Sequence, residues 1–153
     1  MGSSSFLKLF KIFKRFSTKE GEKGMSQDIS YNVLANHEKW LHGSKEGRAT
    51  FRNMDLREFN LRGISLEGAD FREANLQNAD LRNTDFRNAD FENANLRGAS
   101  FEHSNLQEVD FRGADLQGAN FKNANLLCAD LRNASVKGAK FKRANLTGIE
   151  FDD

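Results

Sequence analysis

The one stretch laid out like a metal-dependent catalytic motif is HEKWLH, residues 37–42. A zinc hydrolase of the HExxH kind needs two histidines four apart on a helix, so that both imidazoles reach one ion beside a glutamate base. Here position 41 is Leu41, and the second histidine, His42, lies five residues from His37. At about 100° per residue the extra step carries it off the shared face. The favoured reading is a helix with incidental histidines, and no metal, cofactor or catalytic residue is assigned. The single cysteine, Cys128, has no second thiol in the chain, so nothing points to an oxidising compartment. Carboxylates are plentiful, but they recur at a fixed spacing over some hundred residues, whereas a catalytic site is local. The sequence argues against an enzyme.

That spacing organises the chain. From 51 to 151 every fifth residue is apolar: 11 Leu, 9 Phe and Val136 in 21 positions. Two residues before each stands a small residue, Ala in 14 of the 21, and immediately before each stands Asp or Asn in 15. The unit reads A-(D/N)-(L/F)-X-X. A helix would scatter a five-residue period around its cylinder, and a straight strand would alternate it between faces. The apolar series shares one interior only if the backbone turns a corner once per unit. Ala and Leu/Phe, two apart, then point inward, and the chain coils with each turn stacked on the last.

Stacked turns favour like on like, which makes the number of sides readable. Leu/Phe identity matches in 11 of 17 pairs at a lag of 20 residues, in 7 of 18 at 15 and in 4 of 16 at 25. Four sides of five residues are therefore expected, in about five coils, giving a rod about 25 Å long at about 4.8 Å per stacked strand. In that register Phe51, Phe71, Phe91, Phe111, Leu131 and Phe151 form one interior column, and Leu56, Leu76, Leu96 and Leu116 the next. The absence of proline suits a ladder that uses every backbone N–H.

These residues resemble the pentapeptide-repeat family. The resemblance implies an all-β fold, a right-handed four-sided parallel β-helix (a β-solenoid), in which Leu/Phe fills the tube, Ala fits near the corner and Asp/Asn helps satisfy the turn. Residues 49–153 are read as this block. Residues 25–48 are read as a capping region, with a helix over 29–42 that Gly43 can end. Its apolar residues Val33, Leu34, Trp40 and Leu41 are expected to meet Met54, Phe59 and Ile64, which replace the small Ala in the first coil. At the other end, Ile149 and Phe151 close the sequence with only two aspartates beyond, which points to a homodimer joined end to end through the last coil.

Residues 1–24 differ in kind. Phe6, Leu9, Phe10, Phe13 and Phe16 follow helical spacing among Lys8, Lys11, Lys14 and Arg15. A cationic amphipathic segment of this sort suits a membrane surface or a protein partner. It is too short and too often broken by lysine to span a bilayer, and it lacks the uncharged run of a signal peptide.

The block's outward position after each central residue holds 12 Lys/Arg and four acidic residues, and carboxylates one strand away in the stack are expected to pair with them. Thr84 and Ser104, which replace Ala one coil apart, are placed to hydrogen-bond each other or backbone. The functional reading is a non-enzymatic, cytoplasmic module that presents flat faces to a protein partner. Residues 6–16 would place it peripherally at the inner membrane face. A runner-up comes from the resemblance: some members imitate DNA, bind type II topoisomerases such as gyrase and protect them. That role wants a strongly acidic rod, and residues 49–153 carry 14 Lys/Arg against 17 Asp/Glu. Direct nucleic-acid binding is not expected, since interleaved charges cancel much of the field.

Overall fold

The structure, a computed structural model, describes residues 36, 37, 39–43, 47–57 and 59–152. Outside them lie Phe6, Lys8, Leu9, Phe10, Lys11, Phe13, Lys14, Arg15 and Phe16 of the amphipathic segment, and Val33 and Leu34 of the cap. The chain divides into two compact units, Met1–Ala49 and Thr50–Asp153.

In the first unit residues 36, 37 and 39–41 are helical and a turn follows at 42–43. Gly43 ends the helix at a φ of 95°, where only a residue without Cβ is relaxed, and its N–H bonds the Trp40 carbonyl at 2.9 Å. Farther on, Gly47 has a φ of 112°, and a Cβ there would stand 2.5 Å from the Asn36 carbonyl oxygen. Trp40 and Leu41 are half-buried.

The second unit is a coil with a 20-residue turn. Parallel bridges join residues 20 apart without a break, from Thr50 with Asp70 to Asp130 with Glu150. Five-residue units on a 20-residue turn make four sides. The first side carries Phe51, Phe71, Phe91, Phe111, Leu131 and Phe151; the second, third and fourth follow at five-residue steps.

One unit, Asp90–Ala94, shows why the motif holds. Asp90 N–H donates to the Ala69 carbonyl of the turn before at 2.9 Å. Phe91 and Asn93 donate forward to the carbonyls of Asp110 and Arg112 at 2.8 and 2.9 Å, and Ala94 closes the corner onto Phe91 at 3.0 Å. The remaining donor, Glu92 N–H, is taken by the Asp90 side chain at 3.0 Å. All five N–H groups are thus bonded, and the Asx side chain accounts for the one the ladder cannot reach. The corner has φ positive at its third residue, the requirement of a type II turn, so Gly or Asn occupies most of these positions.

Inside, Phe51, Phe71, Phe91 and Phe111 stack ring on ring at 4.7, 4.7 and 5.3 Å. A second aromatic column, Phe101, Phe121 and Phe141, stacks at 5.1 Å on the opposite side. The two columns meet edge to face, Phe101 against Phe91 at 5.9 Å and Phe111 at 5.8 Å. Leu56, Leu76, Leu96, Leu116 and Leu131 are buried. Phe151 continues the first column but is 46% exposed, because no further turn of the described residues lies over it. Met54, Phe59 and Ile64 are half-buried where later turns hold fully buried alanines.

Candidate functional site

Charge on the outside of the coil is organised at two scales. Within a unit, the Asx position and the residue two further on flank one inward residue and both face out. Asp110 therefore takes the Arg112 backbone N–H at 2.9 Å and its guanidinium in a fork, with Nη2 to Oδ2 at 2.6 Å. Asp55–Arg57, Asp70–Arg72, Asp80–Arg82, Asp85–Arg87 and Asp130–Arg132 repeat the clamp. The expected partners one turn away come second. Arg72 reaches Asp90 at 3.3 Å, Arg87 reaches Glu67 at 2.8 Å and Lys122 reaches Glu102 at 2.9 Å. The same-unit carboxylate wins because its backbone bond already aims Oδ1 at the arginine. These bonds hold the Asp80 and Asp130 carboxyls below their ordinary range, chiefly through the side-chain hydrogen bond from Arg82 and Arg132.

Around the coil, the sides differ. The first side and its two corners carry ten carboxylates among the described residues: Glu67, Asp70, Glu73, Asp90, Glu92, Glu108, Asp110, Asp130, Glu150 and Asp152. Five arginines (52, 72, 87, 112 and 132) offset them, leaving −5. The third side, half a turn away, and its corners carry nine cations (Arg57, Arg62, Arg82, Arg97, Lys122, Lys137, Lys140, Lys142 and Arg143) against Asp80 and Glu102, leaving +7 among the described residues. The near-neutral block is therefore polarised across its width. Composition concealed this, since the register had to be laid out side by side to expose it.

Other candidates resolve into structure. His37 is buried, accepts the Ala49 N–H on Nδ1 at 3.0 Å and stacks on Trp40 at 5.4 Å, while His42 is exposed. The Nε2 of His37 has no hydrogen-bond partner among the described residues, and burial lowers the pKa of His37 to about 4, with help from Arg48. Among the described residues no group of His, Cys, Asp and Glu is arranged to hold a metal ion. Thr84 and Ser104 form a hydroxyl relay: Thr84 N–H donates to Ser104 Oγ at 3.2 Å, and the hydroxyls donate to the Leu61 and Leu81 carbonyls at 2.9 and 2.7 Å. On the fourth side Asn105, Asn125 and Asn145 bond amide to amide at 3.1 and 2.9 Å, a ladder the sequence reading missed although the 20-residue lag aligns them. Cys128 is exposed at a corner with a φ of 56°. No helix among the described residues is long and apolar enough to cross a membrane.

A family model of pentapeptide repeats matches the chain in eight copies, over 49–88, 74–113, 84–123 and 110–148. The chain belongs to the pentapeptide-repeat family. Its repeat block accordingly forms the family's right-handed β-helix. Among solved structures, it is similar to the pentapeptide-repeat protein Rfr23 from the cyanobacterium Cyanothece 51142, with 26% identity, 78% of this chain and 96% of that one covered, and a TM-score of 0.46. A pentapeptide-repeat protein of the Arabidopsis thaliana thylakoid lumen is 36% identical over 60% of this chain and 67% of its own, with a TM-score of 0.35. QnrB1, a plasmid-mediated fluoroquinolone resistance protein, is 21% identical over 68% and 80%, with a TM-score of 0.46. No curated protein matches the chain.

Proposed function

We propose that this pentapeptide-repeat protein is a non-enzymatic display module. Five turns of four units would hold straight columns of outward side chains for a protein partner, the helical residues of the first unit would cap the stack, and residues 6–16 would keep the module at a membrane surface. The observation that supports this most is the backbone accounting at Asp90–Ala94. Ladder, corner and Asx side chain use every N–H of the unit. The outward side chains, fixed in rows about 4.8 Å apart, are the positions left free to vary in charge. Such a surface recognises by position and charge. A second copy meeting Ile149 and Phe151 end to end belongs to the same reading.

The topoisomerase alternative is supported less. The carboxylates that would imitate phosphate, Asp70, Asp110 and Asp130, are each engaged by an arginine of their own unit. The two readings part in a supercoiling assay, where the full chain is expected to leave gyrase unaffected. The display reading is tested by capturing partners from the native host on the full chain and on an Asp90→Lys/Asp110→Lys variant. Partners retained equally by both, across substitutions on all four sides, would overturn it.

A further inference from the structure

We propose that the third side, where its last described turn carries Lys137, Lys140, Lys142 and Arg143, docks on an anionic lipid bilayer. This rests on the reading that residues 6–16 bring the protein to a membrane, and it adds which side of the coil faces the headgroups.

Elsewhere in the block most cations are clamped by a carboxylate. These four have none within 4.0 Å among the described residues; the ion pairs of the block end with Arg132. Two of them also break the rules of their columns. Lys140 stands in line with Asn60, Asp80, Ser100 and Asn120, where an acceptor side chain serves the corner. Arg143 stands at a φ of 60°, in line with Gly63, Asn83, His103 and Asn123, residue types enriched in that conformation. Four departures or unpaired charges of one sign within seven residues are not what corner geometry asks for. A positive surface is the shared consequence.

Shape and polarity favour a bilayer. Unbroken 20-residue pairing keeps the columns parallel, so the cations lie on a flat side, which fits a plane of headgroups better than the groove of a duplex. The opposite side carries −5 among the described residues, so an anionic leaflet would attract one side and repel the other, orienting the coil. Each Lys or Arg brought to an anionic leaflet strengthens binding about fivefold. One amphipathic or lipid-like contact alone is marginal, and stable attachment takes a second signal.

The test is flotation of the full chain with vesicles of phosphatidylcholine, with and without phosphatidylserine. Lys137→Gln, Lys140→Asn, Lys142→Gln and Arg143→Asn are combined in one variant. Gln already fills the equivalent outward place at 77, 107 and 117, and Asn the equivalent columns at 60, 83, 120 and 123, so the coil is retained. Binding to phosphatidylserine vesicles is expected to fall at least tenfold, with no change on phosphatidylcholine alone and an unchanged circular-dichroism spectrum. A milder Lys137→Gln/Lys142→Gln variant should show about half the effect on a logarithmic scale, and it keeps the test decisive if the fourfold variant misfolds. Phe10→Ser/Phe13→Ser separates the two readings. If that variant alone loses binding, the amphipathic segment attaches the protein and the third side does not. A wild-type chain that ignores phosphatidylserine vesicles overturns both. Unchanged flotation with loss of duplex-DNA binding, or of self-association in light scattering, would assign the surface to nucleic acid or to a second copy and overturn the proposal.

Discussion

The middle of the coil and its last described turn are written in the same motif and are not the same structure. Ala94, Leu96, Ala114 and Leu116 are sealed. Ala134, Ala139 and Ala144 answer to the same pattern and are only half-buried, while Leu146 is 38% exposed. Nothing in A-(D/N)-(L/F)-X-X distinguishes them. The difference is the turn above, which supplies both the carbonyls for the forward N–H groups and the lid for the interior. Burial in this fold is a property of neighbouring turns, and a unit has little stability of its own.

The contrast is broken most forcefully at the aromatic column. Phe91 is buried between Phe71 and Phe111, so Phe91→Ala removes two stacked faces and opens a cavity in a tube too narrow to collapse. A loss of about 4 kcal/mol is expected. Phe151→Ala, same residue type and same column, should cost less than about 1 kcal/mol, because about half of that ring is already in water. Chemical denaturation of both variants decides the matter: equal losses would mean the last turn is as well covered as the middle.

His37 sharpens the comparison from the other direction, since there cover is unfavourable. Its imidazole is buried in the first unit, with Nδ1 satisfied and Nε2 unpartnered among the described residues; burial first, and Arg48 second, hold its pKa at about 4. An unfolded histidine titrates near 6.5, so between those values the unfolded chain binds the extra proton and the folded one does not. Stability is complete above about pH 6.5 and declines as pH falls towards 4, by about 2 kcal/mol locally after allowance for solvent screening. Trp40, the single tryptophan, stacks on this ring and reports the change in its fluorescence. An acid transition that persists unchanged in His37→Gln would refute the assignment.

The Asx column allows a graded test. Asp110→Ala leaves the Arg112 N–H without its acceptor and undoes the arginine clamp; about 1 kcal/mol is expected. Asn145→Ala, at an exposed corner of the last turn, should cost about half of that or less, since water reaches the Thr147 N–H it serves. Melting temperatures of the two variants rank them. The clamps themselves contribute little, because their arginines lie at the surface, so high salt should barely move either value.

Much of this architecture is legible without coordinates, because the five-residue period and the 20-residue lag are arithmetic. The lag also contained the Phe101, Phe121 and Phe141 column, the Asn ladder and the charge polarity, but these appear only once all four sides are laid out. Two features needed the structure. The partners expected across the stack are present, as in Arg52–Glu73, Arg97–Asp115 and Lys122–Glu102, but wherever an aspartate stands two residues before an arginine it also forks that arginine, since a backbone bond fixes its oxygen first. Phe151 obeys the interior pattern to the letter, and its exposure depends on what lies above it, which no repeat encodes.

The smallest effect expected concerns the corners. Cys128 holds a φ of 56° where Asn and Gly are the usual occupants, and Asn tolerates that conformation better because its side chain bonds locally. A further turn stacks on its corner: Gly148 lies so close that an added Cβ would stand 3.1 Å from Sγ. Neighbours therefore hold Cys128 in the strained form, and Cys128→Asn should stabilise the coil by about 0.5 kcal/mol. Arg143 carries the same strain at a φ of 60°, in the last described turn, where the corner is free to relax. Arg143→Asn should then gain less than half as much. If both substitutions gained equally in thermal melts, the corner would be rigid by its own chemistry, and the claim that each turn owes its order to the next would hold for the interior alone.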